Sequence, residues 1–170
     1  MMILLLMCMT IWAEPVDGTP IEGLNKECTE ESPTTDTDQK TGKSVYQATC
    51  QSCHQANGSG TQGVYPPLTN SEFVNGDPQL LAHIILRGLS GEIYVNNERY
   101  ASYMSAYGKK LSDKEIQELI YYIQTEFGST KKENIQLMDE KEIETIRTAK
   151  QGRIKGMKGI KAINSPDNSQ

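Results

Sequence analysis

Cys50, Cys53 and His54 stand in the run C-Q-S-C-H. Two thiols at this spacing near a helix end can each add to a vinyl group of one porphyrin, and the imidazole that follows then meets the iron from below. The same C-x-x-C pair also occurs in redox dithiols and as half of a zinc site. A redox dithiol normally sits between a strand and a helix of a βαβ pattern, whereas here a helical pattern precedes the motif and no strand alternation follows it. Zinc would require further ligands, yet the only other histidine is His83, and Cys8 and Cys28 lie far toward the start of the chain. Covalent attachment of one haem c is the reading that suits these residues best.

An iron that changes oxidation state with little rearrangement wants a sixth ligand, and a thioether in that place favours the ferrous form. Of seven methionines, four precede Trp12 and two follow Gly128, which leaves Met104. It lies in the irregular run Y-A-S-Y-M-S-A-Y-G, where a loop can fold across a haem face. A core-filling role is the alternative for Met104. His83 is a rival ligand, although its place among Leu81, Ile84 and Ile85 suits helix packing. The expected metal ligands are therefore His54 and Met104, with Cys50 and Cys53 holding the cofactor and no catalytic residue.

The elements that must position these groups are readable from pattern. A first helix is predicted from Thr41 to about Cys50, with Gly42 and Tyr46 one turn apart on a shared face. G-D-P opens a second: Asp77 can cap, Pro78 suits the first helical position, and Leu80, Leu81, Ile84 and Ile85 form an apolar stripe ended by Gly88 and Gly91. V-N-N-E predicts a small hairpin between Ile93 and Tyr100, because paired asparagines tolerate positive φ. Ser112 and Glu115 form a capping box ahead of Ile116, Leu119, Ile120 and Ile123, with Gly128 as terminator. Asp139 and Glu142 repeat the box before Ile143 and Ile146, predicting a helix through about Lys150. The remainder, rich in Lys, Gly and polar residues, reads as a disordered tail.

This divides the chain into residues 1–13, 14–37, 38–128 and 129–170. The first piece has an apolar run from Ile3 to Trp12, the length of a signal-peptide core and too short to span a bilayer. It reads as a signal peptide or N-terminal hydrophobic segment, which implies export to the periplasm. Cleavage, lipidation at Cys8 and retention as a membrane anchor remain open. Residues 14–37 form an acidic flexible linker carrying Cys28. The three later pieces carry about -6, -2 and +3 of the net charge of -5. Neither the middle nor the tail concentrates Lys and Arg as a nucleic-acid binder does, so nucleic acid is set aside. Tail residues Lys150, Arg153, Lys155, Lys158 and Lys161 are expected to form a solvated charged tail, the alternative being docking onto an acidic partner or anionic lipid. With 6% aromatics and a mean hydropathy of -0.54, a core spread over the whole length would be thin, and a cofactor at its centre would relieve the shortage.

Residues 41–128 resemble a class I cytochrome c domain, over roughly half the chain. Gly42 and Tyr46 match the family's Gly and aromatic before the first haem cysteine, which implies packing against the last helix of the domain at Leu119 and Tyr122. Pro66 and Leu68 in Y-P-P-L match a P-x-L after the motif, which implies that the Pro66 carbonyl accepts the His54 ring N–H and orients the imidazole. Many relatives have Met-Pro where this chain has Met104 and Ser105, a departure expected to leave the ligand loop more mobile. The resemblance implies a small all-α fold around the haem, with a partly helical C-terminal extension. It further implies single-electron transfer between redox protein partners in the periplasm. The alternatives are a haem subunit of a larger dehydrogenase, nitrite reductase or oxidase, and a haem protein whose open sixth position binds a small ligand. Arg87 and Arg99 are candidates to neutralise propionates. Tyr100, Tyr103 and Tyr107 are candidates for hydrogen bonds to a propionate or to the ligand sulfur.

Overall fold

The computed structural model describes residues 41–163, which belong to one compact unit. The expected signal segment, linker and Cys28 lie outside the described residues. The elements run α1 (Gly42–Thr49), α2 (Gln51–His54), α3 (Pro78–Arg87), β1 (Leu89–Ser90), β2 (Ile93–Val95), β3 (Glu98–Tyr100), α4 (Asp113–Phe127), a 3-10 turn (Lys132–Asn134), α5 (Glu140–Thr148), β4 (Ile154–Lys155) and α6 (Gly156–Ile163). No described helix is long and apolar enough to cross a membrane.

Helix starts follow the local chemistry. Thr41 caps α1 by accepting from the Ser44 amide, and the Asp77 carboxylate accepts from the Gln79 amide at 2.8 Å with Pro78 in the first turn of α3. Ser112 with Glu115 and Asp139 with Glu142 form the two reciprocal capping boxes at α4 and α5. Asn96 and Asn97 turn the β2–β3 hairpin at φ 51° and 63°. Gly128 ends α4 at φ -78°, and a Cβ there would meet the Gln124 carbonyl oxygen at 2.4 Å. Close approach, not positive φ, is what requires glycine at that position.

The principal contact is α1 against α4. A Cβ on Gly42 would lie 2.0 Å from the Glu118 carbonyl oxygen and 2.8 Å from Tyr122 Cβ, so the helices cross at backbone distance. Tyr46, Tyr122 and Phe127 form a tilted and edge-on ring cluster beside that crossing, and Tyr46 Oη donates to the Gln55 carbonyl at 2.6 Å. Val45, Tyr46, Ile116, Leu119 and Ile120 are buried there, in a cluster that also takes in Leu81, Ile85 and Ile143. A second apolar cluster joins Leu80, Ile84, Leu89, Ile93, Val95 and Tyr100 to Ile154 and Ile160. Phe73 and Met104 pack against both.

The expectation of an all-α domain with a disordered end is corrected in one respect. After Lys150 the chain forms β4, which pairs in parallel with β1 through Leu89 with Ile154 and Ser90 with Lys155, and then α6. Ile154 and Ile160 are each 4% exposed, and their burial in the second cluster offsets the entropy that a Lys- and Gly-rich tail loses on ordering.

Candidate functional site

The C-terminal end of α1 runs straight into α2: the Cys50 amide donates to Tyr46 O at 2.8 Å and the His54 amide to Cys50 O at 2.9 Å. One helical turn thus presents Cys50, Cys53 and His54 together. Between α2, α3, the hairpin and the Met104 loop lies a slot with two lobes. Cys50, His54, Pro66, Leu89, Ile93 and Met104 line both lobes. The inner lobe is walled by apolar side chains including Leu68, Phe73, Val74, Leu81 and Ile85, and the other is edged by Tyr65, Tyr100, Tyr103 and Tyr107.

Sequence alone brought His54 and Pro66 together only through resemblance, and the structure puts the His54 Nδ1 3.0 Å from the Pro66 carbonyl oxygen. A carbonyl can only accept, so Nδ1 carries the hydrogen and Nε2 is the ring nitrogen left with a lone pair. Burial lowers the His54 pKa, and the Pro66 carbonyl opposes that by raising it. The loop between them is folded by glycines outside the haem motif. Gly60 donates its amide to His54 O at 3.0 Å at φ +64°, and Thr61 and Tyr65 pair across a tight turn that delivers Pro66. Its signal was the G-S-G run directly after the histidine motif.

Met104 reaches the slot from the opposite chain segment. Its amide donates to Leu89 O at 2.8 Å and its carbonyl accepts from the Leu89 amide at 3.2 Å, an isolated bridge that extends from β1. Tyr107 Oη donates to the Thr49 carbonyl at 2.8 Å, tying this loop to the helix that carries Cys50. Burial raises the Tyr107 pKa. The cysteines are free, Cys50 buried and Cys53 partly so. Burial also raises the Cys50 pKa, the reverse of what a reactive dithiol needs.

Other candidates lie elsewhere. His83 is on the buried face of α3, outside the residues lining either lobe, with Nδ1 lacking a hydrogen-bond partner among the described residues. Arg87 is not at the slot: it closes the C-terminal end of α5, donating to the carbonyls of Ile146, Ala149 and Gln151. Carbonyls left over at a helix end attract a cation, and Arg87 satisfies them there. Arg99 pairs with Glu92 at 2.6 Å on the surface. Of the tyrosines, all three line the second lobe, where Tyr100 Oη donates to Glu98 at 3.2 Å and Tyr103 accepts from Arg153 at 2.5 Å.

The residues present suit a porphyrin on their own chemistry. A largely apolar-walled slot has two thiols and an oriented imidazole on one side and a thioether-bearing residue among its linings. Comparison with known proteins agrees. A family model for Cytochrome c matches residues 39–126. The chain is 37% identical over 98 residues, 55% of its length, to cytochrome c-552 of Thermus thermophilus, covering 73% of that protein. It is equally identical over the same length to the cytochrome c-552 of a second Thermus thermophilus strain, covering 65% of it. It is 31% identical over 106 residues to the gluconate 2-dehydrogenase cytochrome c subunit of Pantoea cypripedii, covering 23% of that subunit. A match to the family over half the chain, on top of a slot built around C-Q-S-C-H, means that this chain belongs to the cytochrome c family.

Proposed function

We propose that this chain is an exported electron carrier. Cys50 and Cys53 would hold one haem c by thioether bonds, His54 and Met104 would ligate its iron, and the chain would exchange single electrons with redox protein partners in the periplasm. The observation that carries the reading is the bond of His54 Nδ1 to the Pro66 carbonyl at 3.0 Å, in a slot whose lobes both also take in Met104. When bound, the haem supplies the one-electron couple. Cys50 and Cys53 would each hold the haem by a thioether bond, whose formation from a thiol and a vinyl group needs no oxidant or reductant. The Pro66 carbonyl holds the imidazole in one tautomer and strengthens it as a donor. The Met104 sulfur and the apolar walls of the inner lobe both favour the ferrous state. The bonds of Tyr107 and Leu89 to this loop limit how far the sulfur can move on a change of oxidation state.

The spectrum of the pyridine haemochrome after acid-acetone extraction tests the attachment: colour that stays with the chain is expected, and colourless protein from a host competent in haem attachment refutes it. Met104→Ala tests the ligand, and should lower the potential and open the iron to imidazole. An unchanged spectrum and potential would remove Met104 from the site. The similarity to the Pantoea subunit favours a second reading, a haem subunit of a larger oxidoreductase. Co-purification of a stoichiometric dehydrogenase from the native membrane fraction distinguishes it from a free carrier.

A further inference from the structure

The Met104 loop is held from outside by the segment that follows α5. Leu89 is the centre of three adjacent chains: Met104 bridges to it on one side, and Ile154 pairs with it on the other, with the Ile154 amide donating to Gly88 O at 3.2 Å. Arg153, immediately before Ile154, reaches over this pairing. Its Nη1 donates to the Met104 carbonyl at 2.6 Å, its Nη2 donates to Tyr103 Oη at 2.5 Å, and its guanidinium lies 4.1 Å from the centre of the Tyr103 ring.

Three features show this contact to be built. Gly88 leaves the space for it, since a Cβ there would be 2.3 Å from Arg153 Nη1 and 2.5 Å from the Met104 carbonyl oxygen. The backbone that carries Arg153 is anchored by Ile154 in the second apolar cluster and by the Met157 amide on Glu92 O at 3.0 Å. The Met104 carbonyl has both lone pairs engaged, one by the Leu89 amide and one by the charged fork. Ser105 gives the loop no proline restraint on φ, so stiffness must come from contacts of this kind.

We propose that Arg153, immediately before β4, is a positioning residue for Met104. Its fork clamps the Met104 carbonyl and the Tyr103 hydroxyl, so that the segment after α5 acts as a strap holding the thioether at the slot. The inference rests on the reading of Met104 as an iron ligand. Lysine cannot replace the fork, because a single ammonium does not match two acceptors set at fixed angles.

The test uses the haem-loaded full chain with Arg153→Ala and Arg153→Lys. Losing charge-assisted bonds on a strap that opens locally should speed amide hydrogen exchange at Met104 and Leu89 by about tenfold or more. Exchange at Leu119 and Ile120 in α4 should stay unchanged, which shows the fold intact. Imidazole should bind the ferric form of both variants faster by a similar factor, with Arg153→Lys closer to Arg153→Ala than to the parent. Unchanged exchange at Met104 and Leu89, or an equal rise in α4, overturns the proposal. So does faster exchange with unchanged imidazole binding, provided that Met104→Ala itself binds imidazole. If Met104→Ala alters neither spectrum nor imidazole binding, the ligand reading has failed separately, and the exchange at Met104 and Leu89 alone decides whether the strap exists.

Discussion

Gly60 and Gly63 offer a matched pair of perturbations in the loop that orients His54. Both have positive φ, +64° and +71°, so alanine at either pays about 1–2 kcal/mol for the left-handed conformation. Their surroundings differ. A Cβ at 63 meets nothing within 4 Å, whereas one at 60 would lie 2.3 Å from the Tyr65 carbonyl oxygen and 2.6 Å from that of Pro66. Real Cβ contacts essentially never fall below 3.0 Å, so relief displaces these oxygens by 0.7 and 0.4 Å. Forcing backbone apart in this way adds about 1–3 kcal/mol. The Pro66 oxygen is also the acceptor for His54 at 3.0 Å, and a hydrogen bond of this type has little reach beyond about 3.2 Å. Gly60→Ala should therefore be less stable than Gly63→Ala by about 1–3 kcal/mol in denaturant unfolding of the haem-loaded protein. It should also raise the reduction potential, because an imidazole that loses its carbonyl partner is a poorer donor to ferric iron. Equal stabilities and equal potentials for the two variants would refute the reasoning.

Gly42→Ala should destabilise the protein by about 3 kcal/mol or more, because the added methyl overlaps the α4 backbone; Gly152→Ala, with open space around it, is the control in the same unfolding assay. His83 should give acid sensitivity. Its burial and the nearby Arg87 lower its pKa from 6.5, with Asp77 opposing. The unfolded chain therefore takes up the proton first as pH falls below 6.5, and stability declines from there down to the lowered folded value. His83→Leu should remove that contribution, so its stability relative to the parent should rise as pH falls through 6.5 toward the lowered folded value, as read by unfolding at each pH. A constant difference would assign no titration to His83.

Much of the site was legible because its logic is local. C-Q-S-C-H lies within one helical turn, the capping boxes span four residues, and the paired asparagines announce their own turn. Met104 was singled out by elimination, since no other methionine lies between Trp12 and Gly128, and it lines the slot. Arg87 was misplaced because its partners, the backbone carbonyls of Ile146, Ala149 and Gln151, lie far away in sequence. A carbonyl left over at a helix end has no residue-type signature, so nothing at Arg87 itself distinguishes that role from a propionate partner.

The same blindness explains the end of the chain. Ile154, Met157 and Ile160 recur at intervals of three among lysines and glycines, a density too low to predict burial for a segment taken alone. Burial becomes favourable because β1 exposes an edge: Leu89 pairs with Met104 on one side and leaves the other side free for Ile154. That edge exists only once α3 has ended at Gly88 and the Met104 loop has closed back on it. The order of the segment after α5 is thus a consequence of how the loop that bears the sulfur is folded, and the two should loosen together when either is disturbed.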